Sequence, residues 1–313
     1  MTSEKIGAWF GDLKSEETLF GLPQTDFALD SVLSTLPREL VQNVYDARED
    51  GKTPQVNFFY ECLRGEELEK FKEAIDWETI EPHLEAVAAD DEKLGVQKVL
   101  DQIQNGELYV LGVEDVNAVG LQGDEDSRGT NYASLVKDFA DSTKKEGGGI
   151  HGVGASVLWA FSGTKLVLFS SSPQDEDEPK LVGRFDLPDH EFDGQEYKGS
   201  GWLGVDDAGY DRPIATRDFS DELAETLRLD RPVGHGTTAL VVGFREPTRR
   251  TRTPKEVVDE LYRATAMYYW PLVVDDAIEV TVQGPNDPSP RTVDPRTVPR
   301  VTPYVEAYEA WRN

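Results

Sequence analysis

In the segment RELVQNVYDA, Glu39, Asn43 and Asp46 recur at i, i+4 and i+7. At about 100° per residue they share one face of a helix. A carboxylate one turn from an amide, aimed the same way, suits a general base beside a metal-ligating oxygen. A solvated helix face carries the same residue types. A second segment, GGGIHGVGASVLWAFS (147–162), places five glycines in eight positions and then turns apolar. Gly147, Gly149 and Gly152 formally match G-x-G-x-x-G, but that device needs a strand before it, and DFADSTKKE is polar. Gly149–Ser156 is one residue short of a Walker A loop, with Ala155 where the lysine must stand. What remains is G-x-x-G-x-G (Gly149, Gly152, Gly154) opening a helix, whose free N–H groups and dipole suit a phosphate chain. The alternative is a flexible loop before a core helix.

Two further segments carry chemistry. In LYVLGVEDVNAVGLQG an apolar strand delivers Asp115 at its end, followed by Gly120 and Gly123. A carboxylate there can accept the exocyclic amine proton of adenine and so tell adenine from guanine. In GHGTTALVVGF, Gly236-Thr237 leads a buried strand, and the threonine hydroxyl can support the same base-recognising acid. A plain loop or strand end is the alternative for each.

The elements that must position these groups are mixed. Residues 36–50 read as a helix with Pro37 in its first turn and Ser34 or Thr35 as cap. On it, Leu40, Val44 and Ala47 lie about 100° from the polar face and make the core contact. Strands are expected at 55–63, 106–115, 237–244 and 277–284, and helices at 66–75, 220–229 and 253–270. Residues 76–104 read as helical and polar. TKLVLFSS and KLVGRFDL flank SPQDEDEP, a hairpin with a solvated acidic tip. Residues 124–149 are polar and glycine-rich, a mobile loop by composition, and ASVLWAF begins a helix after the glycines. PNDPSPRTVDPRTVP is proline-rich connection. The order argues one α+β domain, with the last 30 residues entering a further element.

Composition bounds the function classes. The 313 residues carry 60 acidic against 32 basic side chains, a net charge of −28. Such a surface repels phosphate backbones and argues against direct nucleic-acid binding. It is what a high-salt cytoplasm selects, or what a chain with a basic partner tolerates. Cys62 is the only cysteine, which excludes intrachain disulfides and cysteine-rich metal sites. The start lacks a basic n-region followed by an apolar stretch, and no window approaches a membrane span, so a soluble, cytoplasmic protein is expected. His151 and His235 sit beside glycines without metal-ligand spacing and read as local packing or phosphate-proximal donors.

Together, in this order, the four segments resemble the GHKL ATPase superfamily of DNA gyrase B, the ninety-kilodalton heat-shock chaperone, histidine kinases, MutL and MORC proteins. The family's E-L-x-x-N-x-x-D-A is met by Glu39, Leu40, Asn43, Asp46 and Ala47. Its D-x-G-x-G is met at Asp115 and departs at Asn117 and Val119, with Gly120 one residue late. G-x-x-G-x-G is met by Gly149, Gly152 and Gly154, and G-T by Gly236 and Thr237; the likeness spans about residues 25–245.

The resemblance implies a Bergerat-type α+β fold, a mixed β-sheet layered with helices on one face and a mobile ATP lid at about 124–149. It makes residues 1–250 the ATP-binding domain and 251–313 a helix–strand extension that begins a transducer-like or effector region. Glu39 becomes the general base, Asn43 the Mg²⁺ ligand, and Asp46 with Ala47 part of the base side of the pocket. Asp115, with Thr237, holds the adenine amine, and Asn117 and Gly120 form the adenine loop. Backbone from Gly149 through His151, Gly152, Val153 and Gly154 to Ala155 wraps the phosphates, and Lys144 or Lys145 reaches the nucleotide from the lid. The implied activity is ATP hydrolysis by a conformational switch that dimerises on ATP and drives a partner or fused effector. A histidine-kinase-like protein kinase, a topoisomerase ATPase subunit and a non-hydrolysing nucleotide sensor are the alternatives. RPIATRDFSDELAETLRLDRP, before the G-T strand, resembles ATPases of prokaryotic anti-phage defence systems.

Overall fold

The structure, a computed structural model, describes residues 6–12, 32–90, 95–137, 151–231, 234–248 and 251–312. The elements run β1 (Gly7–Asp12), α1 (Thr35–Asp46), β2 (Gln55–Arg64), α2 (Gly65–Ala74), α3 (Trp77–Asp90), α4 (Val96–Gln104) and β3 (Glu107–Val116). After a π-helical turn at Ala133–Lys137 come α5 (His151–Ala160), β4 (Leu166–Ser172), β5 (Lys180–Phe185), β6 (His190–Phe192) and β7 (Gln195–Gly204). The rest is α6 (Asp221–Thr226), β8 (Gly236–Val242), α7 (Pro254–Val274), β9 (Glu279–Gln283), β10 (Arg291–Thr292) and α8 (Thr302–Arg312). This is an α+β fold with a mixed sheet in the order β1-β7-β5-β4-β8-β3-β2-β9-β10, β6 pairing with β7. Among the described pairings β2–β9 alone is parallel.

Alternation along the central strands splits the core into two faces. Leu111 and Val113 of β3, Val167 and Phe169 of β4, and Ala239 and Val241 of β8 pack with α1, α5 and α7. Their neighbours Leu108, Val110, Leu166, Leu168, Leu240 and Val242 pack instead with α2, α3 and α4. Helices therefore cover both faces, which corrects the expectation of one. The second layer comes from residues 65–104. Val96, Val99, Leu100 and Ile103 are buried at i, i+3, i+4 and i+7 of α4, an apolar stripe inside a segment whose average composition is polar.

Local chemistry sets the element ends. Thr253 and Glu256 form a reciprocal capping box that starts α7. Ser34 occupies the cap position of α1 but makes no side-chain cap bond. The boundary expected near residue 250 falls between β8 and α7. Beyond it, α7 packs in the same core cluster as α1, and β9 pairs with β2. No described helix is long and apolar enough to cross a membrane.

Candidate functional site

A cavity of about 450 Å³ lies between α1, the ends of β3 and β8, and the loop that follows β3. That volume suits a small-molecule site. Asn43, Asp46, Ala47, Asp115, Gly120 and Thr237, separate in sequence, all line it. Leu40, Val44, Val113, Leu121, Leu158 and Ala239 supply an apolar wall. Leu40, Val44 and Ala47, expected to make the core contact, thus also line the cavity.

Asp115 is the floor. β3 pairs with β8 on one side and β2 on the other, so the strand end and its carboxyl are held inside the sheet. Its Oδ1 accepts the Thr237 amide at 2.6 Å. Burial pushes the carboxyl up to about 6, opposed by the Arg231 guanidinium and the Thr237 N–H. Arg231 donates to the Asp115 carbonyl at 2.9 Å and to Thr238 Oγ1 at 3.0 Å, fixing both strand ends. Gly236 is required by this contact: its φ is +145°, and a Cβ there would stand 2.2 Å from Asp115 Oδ1.

Ser171, near the end of β4, ties the parts of this end of the cavity together. Its hydroxyl donates to Gly236 O at 2.9 Å and accepts the Leu121 amide at 2.8 Å. With that proton on Gly236 O, Thr237 is the donor in its 3.1 Å contact with Ser171 and keeps its lone pairs for the cavity. Gly120 has φ +72°, and a Cβ would meet Pro173 Cα at 2.9 Å and Ser171 Oγ at 3.0 Å. The glycine displaced by one residue from the family spacing is therefore needed where it stands.

Three expectations change. Asn117 does not line the cavity; with φ +61° it turns away, its amide donating to Thr53 O at 2.9 Å and its carbonyl accepting from Glu49 N at 2.8 Å. It holds the loop and does not face a base. Glu39 lies one turn before Asn43, but its carboxylate accepts Arg38 Nε at 2.9 Å and a terminal guanidinium nitrogen at 2.7 Å, and it is not among the cavity's lining residues. Arg38 in turn accepts, through its carbonyl, the hydroxyl of Tyr269 on α7, and its guanidinium sits 6.0 Å from the Tyr268 ring. Third, α5 begins at His151, so Gly152, Val153, Gly154 and Ala155 lie in its first turns and not in a loop before it. Gly149, Lys144 and Lys145 lie outside the described residues.

The first part of the expected lid, 124–137, is packed, not loose. Glu125 is buried and accepts Arg212 at 2.7 Å, Ala215 N at 3.2 Å and the Tyr132 hydroxyl. Arg212 stacks 3.7 Å from the Trp202 ring centroid. Asn131, Ser134 and Leu135 line the cavity, as do Gln122 and Arg48, and none was singled out from sequence. The sequence signal for Ser171 is a pair of serines ending the apolar run LVLFSS, both of which the fold buries. Arg48 directly follows the D-A of the first motif.

The chain matches no protein-family model and no curated protein. A solved structure described as the N-terminal domain of a DNA repair protein aligns with a TM-score of 0.42 at 13% identity. It covers 89% of this chain and 57% of that one, so the chain spans little more than half of its length.

Among the described residues no group of three or more His, Cys, Asp or Glu is arranged to hold a metal. Asn43 faces the cavity as a single oxygen donor. That fits an ion such as Mg²⁺, which is bound through one or two protein ligands, substrate phosphates and water.

Proposed function

We propose that this chain binds Mg·ATP in the α1–β3–β8 cavity and hydrolyses it as a GHKL-type conformational switch. The observation that carries the reading is Asp115. It is a half-buried carboxylate at a strand end, oriented by the Thr237 amide and lining a cavity that Asn43 and Asp46 also line. A carboxylate held this way accepts the adenine amine, and guanine offers no donor at that position. Asn43 would hold Mg²⁺ against the phosphates, and the first turn of α5 supplies N–H groups that no intrahelical carbonyl satisfies. Glu39 would act as general base once its pairing with Arg38 is released. Following the same resemblance, ATP binding drives dimerisation and acts on a partner or a fused effector.

The Arg38–Glu39 pairing favours one second reading, a nucleotide sensor without turnover. Calorimetry with ATP and GTP and a phosphate-release assay, both with Mg²⁺, separate the two. ATP preference with phosphate release supports the switch, ATP preference without it the sensor, and equal affinity for GTP defeats the adenine assignment.

A further inference from the structure

The loop that forms the base-side wall of the cavity is held from behind by a buried ammonium group. Lys180, the first residue of β5, is 1% exposed. An ammonium has three protons to give, and all three are placed: one on Leu121 O at 2.8 Å, one on Gly123 O, and one on Glu176 Oε1 at 2.5 Å. The Tyr132 ring lies 5.3 Å from the same nitrogen. Glu176 is engaged at both oxygens, its Oε1 also accepting the Gly123 amide at 3.0 Å and its Oε2 accepting Arg217 at 2.8 Å. Gly123 is thus gripped through both its N–H and its carbonyl. Leu121 is gripped the same way, its N–H on Ser171 and its carbonyl on Lys180. Gln174 adds its amide to Val119 O at 3.0 Å. Leu121 and Gln122, in the stretch held here, are among the residues that line the cavity.

We infer that Lys180 is a positioning residue for the nucleotide site: with Glu176 it fixes the Leu121–Gly123 backbone and so sets the shape of the base-side wall. The inference rests on the ATP reading for its functional consequence and on geometry alone for the clamp. An apolar side chain at this position would leave two buried carbonyls without donors, and the loop would leave its place to find water. The wall then accommodates the nucleotide only at the cost of reordering, which weakens binding and leaves the chemistry at the phosphate end unchanged.

The test compares wild type, Lys180→Met, Lys180→Arg and Glu176→Gln by hydrogen exchange over residues 118–125, calorimetry with Mg·ATP, and steady-state phosphate release. In folded Lys180→Met, exchange at Leu121–Gly123 should quicken and KM should rise about tenfold, with kcat at saturation little changed. Lys180→Arg should recover part of both losses. Should Lys180→Met fail to fold, Glu176→Gln carries the decision with smaller shifts of the same sign. Wild-type exchange and affinity in whichever variant folds, or a loss confined to kcat, overturns the inference. If wild type binds no Mg·ATP, the functional reading falls, and the exchange arm alone judges the clamp.

Discussion

At the Asp115 end of the cavity the groups are bonded to the fold before any ligand arrives: Asp115 to Thr237, buried Ser171 to Gly236 and Leu121, Arg231 across both strands. At the α1 end Asn43 is half-buried and Asp46 exposed, and the carboxylate expected to activate water is engaged with Arg38. The first end sits in the middle of a sheet, where strand pairing leaves no freedom. The second sits on one helix face near solvent, where an ion pair exchanges at little cost. On the proposed reading, recognition is built into the fold and reaction geometry is left for the ligand to assemble.

The largest effect that would break this contrast is on turnover. In Glu39→Ala, phosphate release should fall by about 10²–10⁴ with ATP affinity close to wild type. The same protein should accumulate as an ATP-bound dimer by light scattering. Asn43→Ala should instead weaken Mg·ATP binding itself. Undiminished release in Glu39→Ala would remove the general base and leave the α1 end a binding surface only.

Next in size is the base end. Asp115→Asn keeps an acceptor for the Thr237 amide but loses the carboxylate, so ATP affinity should drop about 10–100-fold and the preference over GTP should vanish, read by calorimetry. A preference that survives would move adenine recognition elsewhere.

A third effect is set by pH. On the proposed reading Asp115 accepts the adenine amine as a carboxylate, and burial pushes its titration up to about 6. ATP affinity should hold above that value and fall about tenfold between pH 7 and pH 5, whereas Asp115→Asn should show a flat profile. Folding needs a separate control, because His83 lies 2.8 Å from His190 in the opposite core and burial pushes it down to about 4. A base with a lowered value favours the neutral form in the fold. Its stabilisation is whole above the ordinary value of about 6.5 and is lost as pH falls from there toward about 4. Melting temperature should drop over that window, and less so in His83→Phe.

The smallest effect is salt. With a net charge of −28, melting temperature should rise as KCl is added, since the Debye length shrinks from about 30 Å at 0.01 M to 3 Å at 1 M. A flat curve would remove the high-salt reading and leave the cavity untouched.

The contrast between the two ends is also one of legibility. β3, β8 and the carboxylate at Asp115 could be read from sequence because a continuous apolar run ending in an acid has one natural placement in a sheet. Asn43 and Asp46 followed from helical spacing. The pairing of Glu39 with Arg38 did not, because spacing gives the face and not the partner a side chain chooses. Asn117 was misplaced by alignment to the family loop; an asparagine after a strand is a residue that tolerates positive φ, and here it turns the chain. The second helical layer was missed because a stripe of four apolar residues was averaged into a polar segment. The acidic tip of the β4–β5 hairpin looked solvated, yet Glu176 is drawn inward by Lys180 and Arg217, partners that only the folded chain brings near.

If the proposed hydrolysis holds, the Tyr269 hydroxyl on the Arg38 carbonyl gives α7 a stake in it. For Glu39 to reach a water near the phosphates, Arg38 must let go, and the residue that anchors Arg38's backbone belongs to the long helix that leads towards β9 and α8. Linkage between two such sites is symmetric: whatever free energy the release of Arg38 draws from α7, a body gripping α7 can return to the release of Arg38.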